Sequence, residues 1–158
     1  MRLEPMYRVR FIYPEGWAIN ITGEQGSEGQ HFYFAEGRIE GRIIGRFRAS
    51  NFPRRRTDNA FTPNFHGIIQ TDDDATILFE YHGYGRAYPL NRRQWVIAAT
   101  HLSEDPRYLW LNDVICVGTG EVRAWSDAEV GGGGAKPRNP IADLVLDVAE
   151  LIWEPISE

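Results

Sequence analysis

Residues 37–48 read GRIEGRIIGRFR, with glycine at every fourth position. At the two-residue period of a β-strand, one face of this segment carries Ile39, Gly41, Ile43, Gly45 and Phe47. The other face carries Ile44 and the charged residues Arg38, Glu40, Arg42, Arg46 and Arg48. Glycines that alternate with bulky residues on an inward face allow a strand to bend where a small barrel closes. The segment therefore predicts a strand of a β-barrel.

A phosphate-binding loop is the alternative explanation for so many glycines and arginines in one segment. Such a loop lies between a strand and a helix and ends in Gly-Lys-Ser or Gly-Lys-Thr. Residues 37–48 lack that ending, so the barrel strand is the preferred interpretation.

A second decisive stretch, residues 107–120, reads RYLWLNDVICVGTG. It predicts an aromatic strand with the polar pair Asn112 and Asp113 in its middle. Because Asn and Asp are poor strand formers, the pair either marks a break or projects into a polar space that the strand lines. We favour the second option, which places a pocket inside the barrel.

Alternating apolar residues predict further strands on both sides of these segments. Residues 7–13 form a half-buried strand that ends at the turn Pro14-Glu15-Gly16, and residues 64–71 and 75–82 form a hairpin. Residues 141–152 fit either a helix or a strand, and we favour a strand because the first barrel strand needs a partner. Exposed loops are predicted over residues 23–30, 51–63 and 126–140.

Composition limits the class of protein. The 158 residues fit one domain, 1–158, with 42% hydrophobic and 13% aromatic residues, and the net charge of −5 argues against a nucleic-acid partner. The single cysteine, Cys116, excludes an internal disulfide and favours a reducing compartment. No signal peptide or apolar run of roughly 20 residues is visible, so we expect a cytoplasmic protein with no membrane partner.

Two segments of the chain resemble a family of small bacterial proteins known as domain of unknown function 3237. The first is Gly37 to Gly45, which resembles a glycine-spaced strand of the family. The second includes Thr71-Asp72-Asp73, Tyr81, Gly83, Tyr108, Trp110-Leu111-Asn112 and Gly118 to Gly120. The similarity extends from about Leu3 to Glu150. Asp74 departs from it, since the family tends to have a turn glycine at that position, and residues 54–62 and 131–140 look particular to this chain.

The resemblance implies an all-β protein with little helix. Its fold is expected to be a single antiparallel β-barrel of about eight strands, a size whose interior can hold one small ligand. The family name itself states that no general activity is established.

A cofactor-free enzyme needs a proton-transfer group and a charge stabiliser that converge on a pocket. The candidate catalytic residues are His66, His82, Tyr108 and Asn112. The candidate ligand-binding residues are Arg48, Tyr81, Tyr84 and Trp110. In this hypothesis Asn112 and Tyr108 polarise a carbonyl while a histidine moves the proton. The alternative for Asn112 is a structural role in which its side chain bonds to the backbone.

Two orientations are open for the strand over residues 75–82. If its polar face lines the pocket, Glu80 can orient His82 as a base. If its apolar face points inward, Tyr81 lies in the pocket and Glu80 and His82 are solvated. The second orientation is favoured because barrel interiors in soluble proteins are usually apolar.

No metal and no cofactor are predicted. The histidines lack the short spacing of a helix-borne zinc pair, although His66, Glu80 and His82 on paired strands leave a cupin-like metal barrel as a less favoured alternative. Cys116 has apolar neighbours and is expected to be inert. The triplet 54–56, Arg-Arg-Arg, is more typical of a solvated turn than of a clamp for an anionic ligand at the barrel mouth.

The leading functional hypothesis is a small-molecule enzyme that works by proton transfer, as an isomerase, cyclase or lyase of secondary metabolism. Its ligand would be apolar and oxygenated, with aromatic or polycyclic rings. The alternative is a non-catalytic, lipocalin-like binding protein for the same kind of ligand, and an oligomeric accessory subunit is a third option. A homo-oligomer is compatible with all three. A titratable group that faces the cavity would favour the enzyme.

Overall fold

The structure, a computed structural model, describes residues 1–88, 92–123 and 143–157. The predicted loop over 126–140 therefore lies outside the described residues. The described chain is almost entirely β-structure, with one short 3-10 helix at Leu109–Asp113. Its strands are β1 (Arg2–Gly23), β2 (Gly26–Gly41), β3 (Gly45–Asn51), β4 (Arg54–Arg55), β5 (Phe61–Thr62), β6 (Asn64–Thr71), β7 (Thr76–Tyr88), β8 (Arg92–Leu102), β9 (Cys116–Arg123) and β10 (Asp143–Ile152).

Eight of these strands form a closed antiparallel ring. Its order is β1, β10, β9, β8, β7, β6, β3 and β2, and β2 pairs again with β1. The short strands β4 and β5 pair with each other and link β2 to β7. The prediction of an all-β, eight-stranded antiparallel barrel is confirmed, and the last strand pairs with the first as expected.

Strand β1 is longer than predicted because Pro14 does not end it. The pairing register with β2 shifts between Ile12 and Glu15, and Pro14 lies in this bulge, where its missing N–H costs no ladder bond. Pairing then continues to Gly23, opposite Gly26. The predicted turn at 14–16 is therefore wrong, and the predicted loop 23–30 is a tight hairpin whose residues from Gly26 onward belong to β2.

Residues 37–48 form a hairpin and not the single strand that was predicted. Strand β2 ends at Gly41, whose φ of 147° is a backbone conformation open to glycine. The N–H of Arg42 then donates to the carbonyl oxygen of Met6 over 2.7 Å. The predicted faces are nevertheless correct on both arms, since Ile39 and Phe47 are buried and the charged residues lie outside.

The segment 107–120 is also not one strand. It contains the 3-10 helix, and β9 starts only at Cys116. Asn112 accepts a hydrogen bond from the Ser103 N–H at 2.8 Å and donates one to the Ser103 carbonyl oxygen at 2.9 Å. Asn112 and Asp113 therefore mark a break, which is the option that the sequence analysis did not favour.

Side chains fill the interior of the barrel. Phe47 lies at its centre, with ring centroids 4.8 Å from Phe79 and 5.1 Å from Phe11. Ile43 and Leu111 are fully buried at the end that carries the 42–44 turn, which we call the closed end. The predicted internal ligand pocket is thus occupied by the core itself, because bulky aromatic residues face inward from most of the strands.

Candidate active site

The two histidines that were predicted to be catalytic lie on the outer face of the barrel. His66 on β6 and His82 on β7 are exposed, with ring centroids 5.9 Å apart. The Glu80 carboxylate lies between them, 3.3 Å from His66 Nδ1 and 3.6 Å from His82 Nε2. The favoured orientation of β7, with Tyr81 inside and Glu80 and His82 solvated, agrees with the structure. A role for these histidines in an internal pocket does not.

Three other predicted site residues lie together at the closed end and form structural contacts. The Tyr108 hydroxyl donates to the Asp73 carboxylate, 2.9 Å from either oxygen. The Arg42 guanidinium carbon lies 4.4 Å from the ring centroid of Trp110. Asn112 bonds the backbone of Ser103, as described above. None of the three lines a cavity within the barrel.

The remaining predicted ligand-binding residues are dispersed. Arg48 lies on the outer side of β3 and donates to Gln70 over 2.8 Å. Tyr84 is exposed, with the Arg86 guanidinium 5.5 Å from its ring centroid. Tyr81 alone points inward, so the structure does not bring the eight predicted residues together as one site.

Tyr81 belongs to a buried hydrogen-bond network inside the barrel. The Tyr7 hydroxyl lies 2.8 Å from the Tyr81 hydroxyl and 2.7 Å from His101 Nε2. Burial lowers the pKa of His101 to about 4, so the imidazole is neutral. Cys116 is buried with its Sγ 3.8 Å from Met6 Sδ, and burial raises the pKa of its thiol to about 11. This agrees with the expectation that the thiol is inert.

A small cavity of about 40 Å³ lies at the other end of the barrel, which we call the mouth. A cavity of this volume has room for only a few water molecules, so a larger ligand would have to bind across the mouth. Five strands of the ring, the short strand β5 and two prolines in the adjoining loops supply its lining, which consists of Tyr13, Tyr33, Asn51, Pro53, Phe61, Pro63, Arg93, Trp95 and Val122.

Asn51 fixes the floor of this cavity. Its side chain is buried, and its Nδ2 donates to the Tyr13 hydroxyl at 2.9 Å while its Oδ1 accepts from the Asn64 N–H at 3.0 Å. Tyr13 stacks on Tyr33 with a centroid distance of 4.5 Å. Because both polar ends of Asn51 are satisfied, the floor is held in one arrangement.

His31 lies beside the cavity and is held from two sides. Its Nδ1 is 3.2 Å from the Tyr33 hydroxyl, and its ring is nearly parallel to the Tyr33 ring and 5.8 Å from the centroid of Phe61. Gln30 Nε2 donates to the His31 carbonyl oxygen and to the Pro53 carbonyl oxygen, which ties β2 to the loop after β3.

Burial and two nearby positive charges keep the His31 imidazole neutral. Burial is the largest cause of its lowered pKa, and the positive charges of Arg55 and Arg93 lower the pKa further. Arg93 packs with its guanidinium carbon 4.3 Å from the centroid of Phe61. Burial raises the pKa of Tyr33, and Arg93 acts in the opposite direction.

Of the mouth residues, only Arg55 was considered from the sequence, as part of the less favoured anion clamp at residues 54–56. His31 and Tyr33 lie two residues apart in the sequence, and this spacing was the one available signal that they face the same side of a strand. Phe61 and Arg55 lay in a segment that was predicted to be a loop. In the structure this segment carries β4 and β5, which pair through Arg55 and Phe61 and bring both residues to the mouth.

Among the described residues, no three His, Cys, Asp or Glu side chains are grouped so that they could hold a metal ion. In the part of the chain that the structure describes, no helix has the length and hydrophobicity of a transmembrane span.

The sequence profile of a family described as protein of unknown function DUF3237 matches residues 1–130. The chain belongs to this family. The resemblance noted in the sequence is thereby confirmed, and the turn residue that departs from it has a structural explanation. Asp74 has a φ of 73°, a left-handed conformation that glycine adopts most easily and that Asp tolerates.

Solved structures similar to this DUF3237 protein share its barrel. A β-barrel-like protein from Acinetobacter baumannii is 17% identical, with a TM-score of 0.70 over 94% of both chains. A protein of unknown function from Clostridium acetobutylicum is 15% identical, with a TM-score of 0.70 over 94% of this chain and 97% of its own. A structure described as an enzyme from Penicillium herquei is 20% identical, with a TM-score of 0.59 over 93% of both. No protein of curated function matches the sequence.

Proposed function

We propose that this protein is a cofactor-independent enzyme that transfers a proton on an apolar, oxygenated aromatic substrate bound across the barrel mouth. The reaction class is isomerisation, cyclisation or elimination. The observation that carries the proposal is the half-buried, neutral His31, which is hydrogen-bonded to Tyr33 beside an aromatic cavity. A neutral imidazole in such a place can act as a general base at neutral pH.

The contact between His31 and Tyr33 determines which imidazole nitrogen of His31 acts as the base. When Nδ1 carries the proton, it donates to the Tyr33 hydroxyl oxygen 3.2 Å away, and Nε2 is free to accept a proton from the substrate. The hydroxyl hydrogen of Tyr33 can then be donated to a substrate oxygen. The imidazolium that forms returns its proton to another position of the substrate in an isomerisation or cyclisation, or to water in an elimination.

Negative charge that develops on the substrate would meet two groups at the mouth. Arg93 is half-buried, so its positive charge acts through a medium less polar than water. The Tyr33 hydroxyl supplies a hydrogen bond to the same region. Groups that are fixed before the reaction stabilise developing charge without a cost of reorganisation.

Aromatic side chains around the cavity favour a planar ligand. Tyr13, Phe61 and Trp95 line the cavity, and the rings of Tyr13 and Tyr33 are already stacked on each other. Aromatic pairs add about 0.5–1.5 kcal/mol beyond the burial of area. A substrate ring lying across the mouth would extend this stack.

Two observations favour the enzyme over the lipocalin-like binding protein. A carrier of that kind holds its ligand inside the barrel, whereas the interior here is filled by core side chains. The cavity is also lined by the phenol of Tyr33 and the guanidinium of Arg93, and the His31 imidazole is hydrogen-bonded to that phenol, so its surroundings are not apolar alone. The similarity to the enzyme from Penicillium herquei is compatible with this choice.

A test reaction can measure the proposed base without knowledge of the substrate. In the elimination of 5-nitrobenzisoxazole, a base removes the proton on C3, the N–O bond breaks, and a coloured cyanophenolate forms. We expect His31→Gln to lower the protein-catalysed rate by about 100-fold or more, the usual contribution of a positioned base. The rate of the wild type should fall as the pH decreases through a pKa below the ordinary 6.5 of histidine.

Two further variants make this test specific. Arg55→Gln removes a positive charge that disfavours the imidazolium, so the midpoint of the acid limb should move to higher pH. His66→Gln is the control, because it removes a histidine from the outer face of the barrel and leaves the mouth unchanged. Equal rates for wild type and His31→Gln, or a loss of rate confined to His66→Gln, would refute the proposed site.

A further inference from the structure

Resting on the proposed function, we infer that the substrate is an aromatic carboxylate whose anionic group is held by Arg55 and Arg93 at the edge of the Phe61 ring. The inference concerns binding and not the proton transfer itself. Three observations at the mouth support it.

The first observation is the position of the two arginines around one aromatic ring. Arg55 is directly opposite Phe61 in the β4–β5 pair, and directly opposed residues in an antiparallel pair project on the same side of the sheet. Phe61 lines the cavity, and the Arg93 guanidinium packs on its ring with 4.3 Å between guanidinium carbon and centroid. Both cations therefore border the same part of the mouth.

The second observation is that the three arginines at 54–56 have different kinds of polar partner. Arg54 lies 3.8 Å from the Glu28 carboxylate, and Arg56 lies 2.6 Å from the Asp58 carboxylate. Arg55, between them, donates at 2.8 Å to the neutral amide oxygen of Asn59. The middle arginine is thus the one whose contacts within the described residues leave its charge uncompensated by a carboxylate.

The third observation is the charge of the residues at the mouth. The protein carries a net charge of −5, yet none of the described residues that line the cavity is acidic. Burial is the largest cause of the lowered pKa of Arg93 and of His31, and the charge of Arg55 lowers both further. Arg55 and Arg93 therefore repel each other, and both disfavour an imidazolium at His31. A bound carboxylate would relieve this repulsion and would accept charge-assisted hydrogen bonds from the guanidinium groups.

The adjacent rings determine what carries the carboxylate. Phe61, Trp95 and Tyr13 line the same cavity as Arg93, so the anionic group would be attached to a planar apolar body. The chemistry that fits is an aromatic or polycyclic acid. A phosphate or sulfate without such a body would leave the aromatic lining unused.

Binding of 2-naphthoate, compared with its neutral analogue 2-naphthamide, tests the inference by isothermal titration calorimetry. We expect 2-naphthoate to bind about tenfold or more tightly than 2-naphthamide, as charge-assisted hydrogen bonds to a carboxylate predict. Arg55→Gln and Arg93→Gln should each reduce this preference several-fold. Arg93→Lys should retain part of it, because the charge remains while the planar fork is lost.

Arg54→Gln is the matched control, since it removes the same charge from the neighbouring residue of β4. It should leave the preference for 2-naphthoate unchanged. Equal affinities for the two probes in the wild-type protein would overturn the inference. A loss in Arg54→Gln as large as in Arg55→Gln would also overturn it, because the effect would then be general electrostatics and not a site.

His31→Gln separates this inference from the proposed function. The variant should bind 2-naphthoate as the wild type does, while its elimination rate falls. If the wild type catalyses elimination through His31 and shows no preference for 2-naphthoate, the inferred substrate class is wrong, and the assignment of His31 as the base is still supported. If the preference is present and His31→Gln has the wild-type rate, the anion site is supported, and the assignment of His31 as the base is wrong.

Discussion

Tyr7 on β1 contacts two neighbouring strands of the ring, β7 and β8, that lie far from it in sequence. Its hydroxyl contacts Tyr81 on β7 and His101 on β8, and all three side chains are buried. The other ring nitrogen of His101, Nδ1, is buried with no hydrogen-bond partner in the described part of the chain. A protonated imidazole there would bury a charge without a carboxylate beside it, so the fold requires the neutral form.

His101 should make the stability of the protein depend on pH. Its pKa is about 4 in the folded protein and 6.5 in the unfolded chain, so the unfolded state binds more protons between these values. The free energy of unfolding should therefore decrease as the pH falls from 6.5 to 4, by about 1.4 kcal/mol per pH unit where this one group titrates fully. Urea unfolding across this range measures the slope.

His101→Gln removes the titrating group and should flatten this part of the profile, whatever stability the variant retains at neutral pH. An unchanged slope in the variant would assign the pH dependence to other groups.

At the residue scale, the sequence was informative about side-chain direction and not about burial by distant segments. The parity of residues 77–81 placed Tyr81 inside. The environment of His31 depends on Phe61, Arg55 and Arg93. These residues approach it only after β2, β4, β5, β7 and β8 have paired. No local pattern around His31 contains that information.

At the scale of single elements, the glycines of β2 determine how closely this strand can approach its neighbours. A Cβ placed on Gly37 would lie 2.0 Å from the Arg10 carbonyl oxygen of β1, a distance that no side chain can adopt. Glycine at this position therefore lets β1 cross β2 closely where the barrel bends.

Gly37→Ala should destabilise the protein by about 3 kcal/mol or more, because the added methyl group collides with backbone that cannot move aside. Gly23→Ala, at the end of the β1–β2 hairpin, has no atom within 4 Å of the added Cβ and should change the stability little. Thermal or urea unfolding of the two variants measures the difference. Similar losses for both would mean that glycine matters here through the unfolded chain and not through the close approach.

Element types were easier to predict than element ends. The two-residue period identified the faces of β2, β3 and β7, because burial on one side imposes that period directly. The hairpin at 42–44 and the 3-10 helix at 109–113 were missed. Their positions depend on bonds to distant backbone, from Arg42 to Met6 and from Asn112 to Ser103.

At the scale of the whole molecule, β10 closes the ring. It pairs with β1 from Arg2 to Ile12 and with β9 from Cys116 to Arg123. Without it, both neighbours would present unpaired edges. The resemblance to the family supplied this architecture from the sequence, whereas the filled interior was not predicted, because strand patterns give the number of inward residues and not the space left between them.

A chain that ends at residue 142 should not form a stable soluble barrel, because it lacks both pairings of β10. A chain that ends at residue 154 keeps all of β10 and should fold as the full protein does. Soluble yield and far-ultraviolet circular dichroism distinguish these outcomes. A folded, soluble protein ending at residue 142 would show that the ring is not needed for stability.

The position of Cys116 has a practical consequence for the study of folding. The chain has a single cysteine, and its thiol lies within the closed wall with a raised pKa. Iodoacetamide can reach it only when the wall opens, so the alkylation rate reports how often the native protein exposes its core. The native thiol therefore serves as a probe of the opening kinetics, and no residue has to be engineered for this purpose.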